Sequence, residues 1–329
     1  RRQYLPFFFA ATIQKTGRMR YALLCLAAAA LLSACQDEPP PPPIYQEEGF
    51  KEIEGARLYY KVMGEGPPIV VIHGGPSLDH RYLLPGLGRL ARRHRLIFYD
   101  QRLSGRSAAR VDSSTISFEG FVADIEGIRR VFDLERMHLL GHSWGGLLAQ
   151  LYAIKHPEHL HSLILLNAMP PSYALWQEEE ALLAQGRTAR DSQRRADILR
   201  SDAFRRGKAQ AYEQLMRLSF RQQLFRPELA DSLQIILPDD FRQRSLRFQP
   251  MARDLQGFDL REELRQLSRP VLIVYGAQEA AVDVAAPAFR RALPQARIVI
   301  FRDCGHFPFL EQPAALEELV GAFIADHHQ

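Results

Sequence analysis

Met137-His138-Leu139-Leu140-Gly141-His142-Ser143-Trp144-Gly145-Gly146 decides the fold. Its first four residues are an apolar run suited to a strand buried on both faces. Trp144 to Ile154 carries helical spacing. Between strand and helix lies Gly141-His142-Ser143-Trp144-Gly145, a G-x-S-x-G turn. In that context the turn is sharp and strained, and it lifts the serine hydroxyl above the edge of a sheet. Gly141 and Gly145 stand where side chains would clash as strand and helix approach each other. The positive end of the helix then faces any negative charge that develops at Ser143.

Outward from this turn, strands and helices alternate. Ile69-Val70-Val71-Ile72, Leu96-Ile97-Phe98-Tyr99 and Leu163-Ile164-Leu165-Leu166 read as further buried strands, and Phe118 to Phe132 as a helix. Gly49 to Met63 reads as two strands turning at Glu54-Gly55. The alternation lapses from Pro170 to Ser268, where the sequence is rich in Gln, Arg and Glu with helical periodicity. It resumes at Val271-Leu272-Ile273-Val274-Tyr275, then a helix near Phe289, Ile298-Val299-Ile300-Phe301 and a last helix from Pro313 to Ile324. An α/β fold follows, with a mostly parallel central sheet covered on both faces and a helical cap inserted into it. The expected divisions are 45–169 and 269–329 for the core and 170–268 for the cap.

Composition bounds the partners. The chain has 329 residues, 47% hydrophobic and 24% charged, which suits a packed core. Its pI near 9.0 is misleading. Five basic residues and no acidic one fall within 1–34, so the other 295 residues carry 37 basic side chains against all 38 acidic ones. That near-neutral body has no electrostatic footprint for nucleic acid.

Residues 1–34 read as an upstream extension followed by a secretory signal peptide beginning at Met19-Arg20, with an apolar run from Tyr21 to Leu32. Leu32-Ser33-Ala34-Cys35 resembles a bacterial lipobox. The resemblance implies cleavage before Cys35, lipid on its sulfur and an envelope lipoprotein; Gln36 after the cysteine favours the outer membrane, facing the periplasm. Residues 35–44, with Pro39 to Pro43, read as a stiff tether. Of three cysteines only Cys304 is left in the body, so no internal disulfide holds it.

A serine hydroxyl is a weak nucleophile at neutral pH and needs a base. His306, in Asp303-Cys304-Gly305-His306, follows the last strand. His80, His94, His138, His156, His159 and His161 sit by pattern on element ends or turns, as structural or solvated residues. His73-Gly74-Gly75-Pro76 follows the first buried strand. Acyl transfer builds an oxyanion that needs backbone N–H groups in place; Gly75 and Trp144 are the natural donors.

His-Gly-Gly-Pro, Asp100-Gln101-Arg102-Leu103-Ser104-Gly105-Arg106-Ser107 and Gly-His-Ser-Trp-Gly-Gly together resemble the proline iminopeptidases, within the α/β-hydrolase fold. The likeness runs from about Gly49 to the C-terminus and is weakest in the cap. It implies Ser143 as nucleophile and His306 as base. It also implies an acid in a G-x-x-D pattern, where Gly276-Ala277-Gln278-Glu279 puts Glu279; Asp283, four residues on, is its rival. Ser143, Glu279 and His306 keep the nucleophile–acid–base order of this fold. Two positions depart from the family: Leu103 replaces the glycine of Asp-Gln-Arg-Gly, and Ser77 the glycine after His-Gly-Gly-Pro.

The implied activity is release of an N-terminal residue, often proline, from a short peptide. A cap carboxylate would then hold the substrate's α-amino group, with Glu178, Glu179, Glu180, Glu213, Asp239 and Asp240 as candidates. An esterase or amidase with the same triad is the alternative, and a catalytically dead lipid-anchored binding protein the third. Epoxide hydrolases and haloalkane dehalogenases of this fold use an aspartate nucleophile, which Ser143 excludes. No metal-ligand spacing and no nucleotide fingerprint is found, so no cofactor is expected.

Overall fold

The computed structural model describes residues 44–107 and 111–328. The expected signal segment, Cys35 and the proline tether lie outside them. Among the described residues no helix is long and apolar enough to cross a membrane.

Eight strands form one sheet: β1 Gln46–Ile53, β2 Ala56–Met63, β3 Pro68–Ile72, β4 Arg95–Tyr99, β5 Met137–His142, β6 Leu160–Leu166, β7 Val271–Gly276 and β8 Arg297–Phe301. Their order across the sheet is β1-β2-β4-β3-β5-β6-β7-β8. β1 and β2 pair antiparallel, as do β2 and β4; all other pairs are parallel. The β1–β2 hairpin turns at Glu54 and Gly55, both at positive φ, as the sequence places it.

The central strands read as continuous apolar runs because each face meets a different core. Val70, Ile72, Leu139 and Ile273 point to one cluster, and Ile69, Val71, Leu140 and Leu272 to the other. The period-two alternation of a strand does this sorting. Phe118–Val131, Trp144–Lys155 and Ala281–Ala292 supply helical partners on the first face, and Pro313–His327 on the second.

Parallel register brings the strands' C-terminal ends together. Ile72 pairs with Gly141, His142 with Leu166, and Gly276 with Phe301. The segments that follow β3, β5, β6, β7 and β8 therefore emerge at one edge, the usual place for a ligand in such sheets.

Between β6 and β7 the chain is helical, as the lapse in alternation predicts. Tyr173–Gln185, Ala189–Arg200 and Ala209–Arg221 are its longest helices. Thr188 caps the second through its hydroxyl, which accepts from Asp191 N–H at 3.1 Å. Ile198, Ala211 and Leu218 form a small core between the last two. A bridge between Ser172 and Asp259 closes the base of the insertion.

Candidate active site

Ser143 sits at φ 55°, ψ −121°, between β5 and the helix Trp144–Lys155. A non-glycine residue there is strained and persists only where its surroundings over-determine it. Here they do. Its N–H donates to Leu166 O at 3.1 Å, and its carbonyl accepts from Gly146 N–H at 2.8 Å and Met169 N–H at 3.1 Å. The flanking glycines are required by contact: a Cβ on Gly141 would lie 2.3 Å from Gly145 O, and one on Gly145 would lie 2.3 Å from Ile72 O.

His306 follows β8, and its backbone N–H donates to Gln223 O at 2.7 Å, tying this loop to the insertion. Its Nδ1 donates to Glu279 Oε1. Both side chains are buried. With the proton on Nδ1, Nε2 is left as an acceptor. The other oxygen of Glu279 accepts from Asn167 Nδ2, which also reaches Gly305 O at 3.1 Å. Asp283 is exposed on the first turn of Ala281–Ala292. The structure thus brings Glu279 to the imidazole and leaves Asp283 at the surface. Asn167, which immobilises the glutamate, went unread in the sequence. Its one signal is an amide directly after the apolar run of β6.

Gly75 has φ 107°, and a Cβ there would lie 2.7 Å from Leu78 N. Neither Gly75 N–H nor Trp144 N–H has an acceptor among the described residues. Gly74 N–H, by contrast, is donated to the Tyr82 hydroxyl at 2.7 Å. The loop is fixed from beneath by Gln101. Its backbone N–H donates to His73 Nε2 at 3.0 Å, its amide donates to His73 O at 2.7 Å, and its Oε1 accepts from Trp144 Nε1 at 2.9 Å.

The rest of that motif is scaffold. Asp100 Oδ1 accepts from His80 Nδ1 at 2.7 Å, and Oδ2 from Arg106 N–H at 2.8 Å. Arg102 is fully buried; it donates to Asp124 Oδ2 at 2.7 Å and Thr115 Oγ1 at 2.6 Å. Burial pushes the Asp124 carboxyl up to about 6 even beside that guanidinium. Leu103 stands at φ 66°, the left-handed region that glycine enters without steric cost.

Of the six histidines read as structural or solvated residues at element ends or turns, His80, His94 and His138 are buried. His80 is held by Asp100, and His138 by the Ser162 hydroxyl at 2.8 Å, so each ring is placed by a polar partner inside the core. Glu126 with His156 and His159, and Asp79 with His80 and Asp100, bring metal-type ligand atoms together. Their carboxylates are already engaged, Glu126 by Arg129 and Tyr152, Asp79 by Arg81. Cys304 is buried, and burial drives its thiol well above the ordinary range.

Among the cap carboxylates, Glu178, Glu180 and Asp239 are exposed. Glu213 accepts from Leu237 N–H at 2.8 Å, and Asp240 pairs with Arg244 at 2.7 Å. Glu179 alone of the six is buried, and its Oε2 has no hydrogen-bond partner among the described residues. Burial, then the neighbouring Glu279 carboxylate, pushes it up to about 9, so it is uncharged at neutral pH.

The α/β hydrolase fold family model matches residues 67–313. A proline iminopeptidase from Lactobacillus delbrueckii subsp. bulgaricus is 28% identical over 291 residues, 81% of this chain and 93% of that one. The crystal structure of a proline iminopeptidase from Mycobacterium smegmatis superposes with a TM-score of 0.62 at 22% identity, covering 85% of this chain and 98% of that one. An esterase from Exiguobacterium antarcticum superposes with the same score at 20% identity, covering 85% and 100%. At those identities the two structures speak for the fold alone.

Proposed function

Because this chain belongs to the α/β-hydrolase fold family, we propose that it is a serine exopeptidase that releases an N-terminal proline or small residue from short peptides. The observation that carries the reading is the buried donation from His306 Nδ1 to Glu279, at the sheet edge where Ser143 is held. Ser143 Oγ attacks the scissile carbonyl as its proton passes to His306 Nε2. The resulting oxyanion is met by Gly75 and Trp144 N–H. His306 returns the proton to the leaving amine, which departs. Water then attacks the acyl-enzyme with His306 again as base. Each oxyanion donor is worth about 3–4 kcal/mol of barrier in comparable enzymes.

An exopeptidase must recognise the free α-amino group. Glu179 is the cap carboxyl whose burial and open Oε2 support that role. A charge-assisted contact of this kind contributes about 1.5–3 kcal/mol, roughly tenfold to a hundredfold in kcat/KM. Free-amino prolyl or alanyl naphthylamides should therefore be cleaved at least tenfold faster than their N-acetyl forms. A bound ammonium would draw the proton off the Glu179 carboxyl, so Glu179→Gln, which cannot ionise, should weaken that preference. Equal rates on free and blocked substrates, or preference for simple esters, would move the assignment to an esterase. That second reading is favoured by Ser77 and Leu103, where the chain departs from the iminopeptidase pattern.

The Leu32-Ser33-Ala34-Cys35 ending, the preceding apolar run and the proline tether support a lipid anchor on Cys35 in the bacterial envelope. More than one acyl chain is needed for stable attachment.

A further inference from the structure

Three segments around Ser143 are joined by one chain of buried hydrogen bonds. Gly74 N–H reaches the Tyr82 hydroxyl at 2.7 Å, that hydroxyl lies 2.8 Å from His142 Nδ1, and His142 Nε2 lies 2.9 Å from His306 O. Every proton in the chain can be placed. A carbonyl only accepts, so His142 Nε2 carries hydrogen. The ring is fully enclosed, and burial, then the neighbouring His306, holds it far below the ordinary histidine range, so it is neutral. Nδ1 is then a lone pair, the Tyr82 proton points at it, and the Tyr82 oxygen accepts from Gly74. Donation runs in one direction, from the loop after β3 to the loop after β8, passing through the residue that precedes Ser143.

We propose that Tyr82 and His142 are positioning residues that fix the distance between the oxyanion loop and the backbone of His306 across Ser143. The inference rests on the reading of Ser143, His306 and Gly75 given above. Gly74 is held by its N–H, which leaves the N–H of Gly75 as the loop's free donor. His306 is held twice, by its ring through Glu279 and by its carbonyl through His142. Side-chain packing alone would not require a tautomer. This chain does, because Tyr82 and His142 each donate and accept. A ring whose own carbonyl anchor is lost can drift relative to the oxyanion site, and misplacement on the scale of 1 Å costs up to about a hundredfold in rate.

The test is steady-state kinetics on folded full-length variants, with the melting transition measured for each. Tyr82→Phe and His142→Leu should each lower kcat about tenfold to a hundredfold, with KM within about twofold. His142→Gln, which keeps a donor and an acceptor, should recover most of the loss. The double variant Tyr82→Phe/His142→Leu should be no slower than either single one, because both break the same chain. Wild-type kcat in folded Tyr82→Phe or His142→Leu, a change confined to KM, or a Gln variant as slow as the Leu variant would overturn the positioning role. Turnover that survives Ser143→Ala would instead overturn the catalytic reading beneath it, so the two failures are distinguishable.

Discussion

His306 donates its Nδ1 proton to Glu279, while Asp283, one helical turn further along the chain, faces solvent. Removing the charge of Glu279 takes away both the acceptor that fixes the imidazole tautomer and the charge that stabilises the imidazolium. Glu279→Gln should lower kcat by about three to four orders of magnitude, on the scale seen when a triad acid becomes its amide. Asp283→Asn should leave kcat within about twofold, since surface changes away from the site are nearly neutral. Parallel kcat measurements decide, and a larger loss in Asp283→Asn would exclude Glu279 as the acid.

Glu179 gives a pH signature. Its carboxyl is held at about 9 by burial and by Glu279, against an unfolded value near 4.5. Between these values the folded state binds one proton more than the unfolded chain. Stability from this group is therefore complete below about pH 4.5 and falls as pH rises towards 9, by about 1.4 kcal/mol per unit. Glu179→Gln removes that slope. Melting temperatures across pH 5–9 should show the variant gaining on the wild type as pH rises; a constant difference would mean that Glu179 is ionised throughout.

Leu103 carries two opposed terms. Its left-handed backbone costs about 1–2 kcal/mol, while its side chain is almost wholly buried and worth more, since buried Leu→Ala changes cost about 2–5 kcal/mol. Leu103→Gly relieves the first and loses the second. Urea titration should show a net loss of about 1–3 kcal/mol. A stabilised glycine variant would show that backbone strain outweighs packing here.

Much of the fold was legible because the sequence carries two different periods. β-branched runs such as Ile69–Ile72 announce strands enclosed on both faces, and the break between Leu166 and Val271 announces the insertion. Gly141 and Gly145 disclosed the serine turn through contacts that only glycine permits. Less legible was anything that depends on two distant segments meeting. Asn167, Gln101, Tyr82 and His142 act through partners 8 to 164 positions away in other segments, or through backbone atoms that have no identity in a sequence pattern. Glu279 and Asp283 are the clearest case: both were plausible by spacing, and only burial and the direction of the His306 ring tell which of them meets the imidazole. Glu179 was one of six equivalent acids until packing buried it alone.

The N-terminal reading has its own test. Mass spectrometry of the mature chain should find Cys35 as its first residue, with diacylglycerol on the sulfur and an added acyl chain. An unmodified Cys35 would remove the lipid anchor.

The account depends above all on Ser143 being the nucleophile. A serine-directed fluorophosphonate, followed by proteolysis and peptide mass mapping, tests that most directly. One adduct is expected, on the peptide containing Ser143, absent from a folded Ser143→Ala variant and accompanied by complete loss of hydrolysis. An adduct on another residue, or a Ser143→Ala variant that still turns over substrate, would contradict the account.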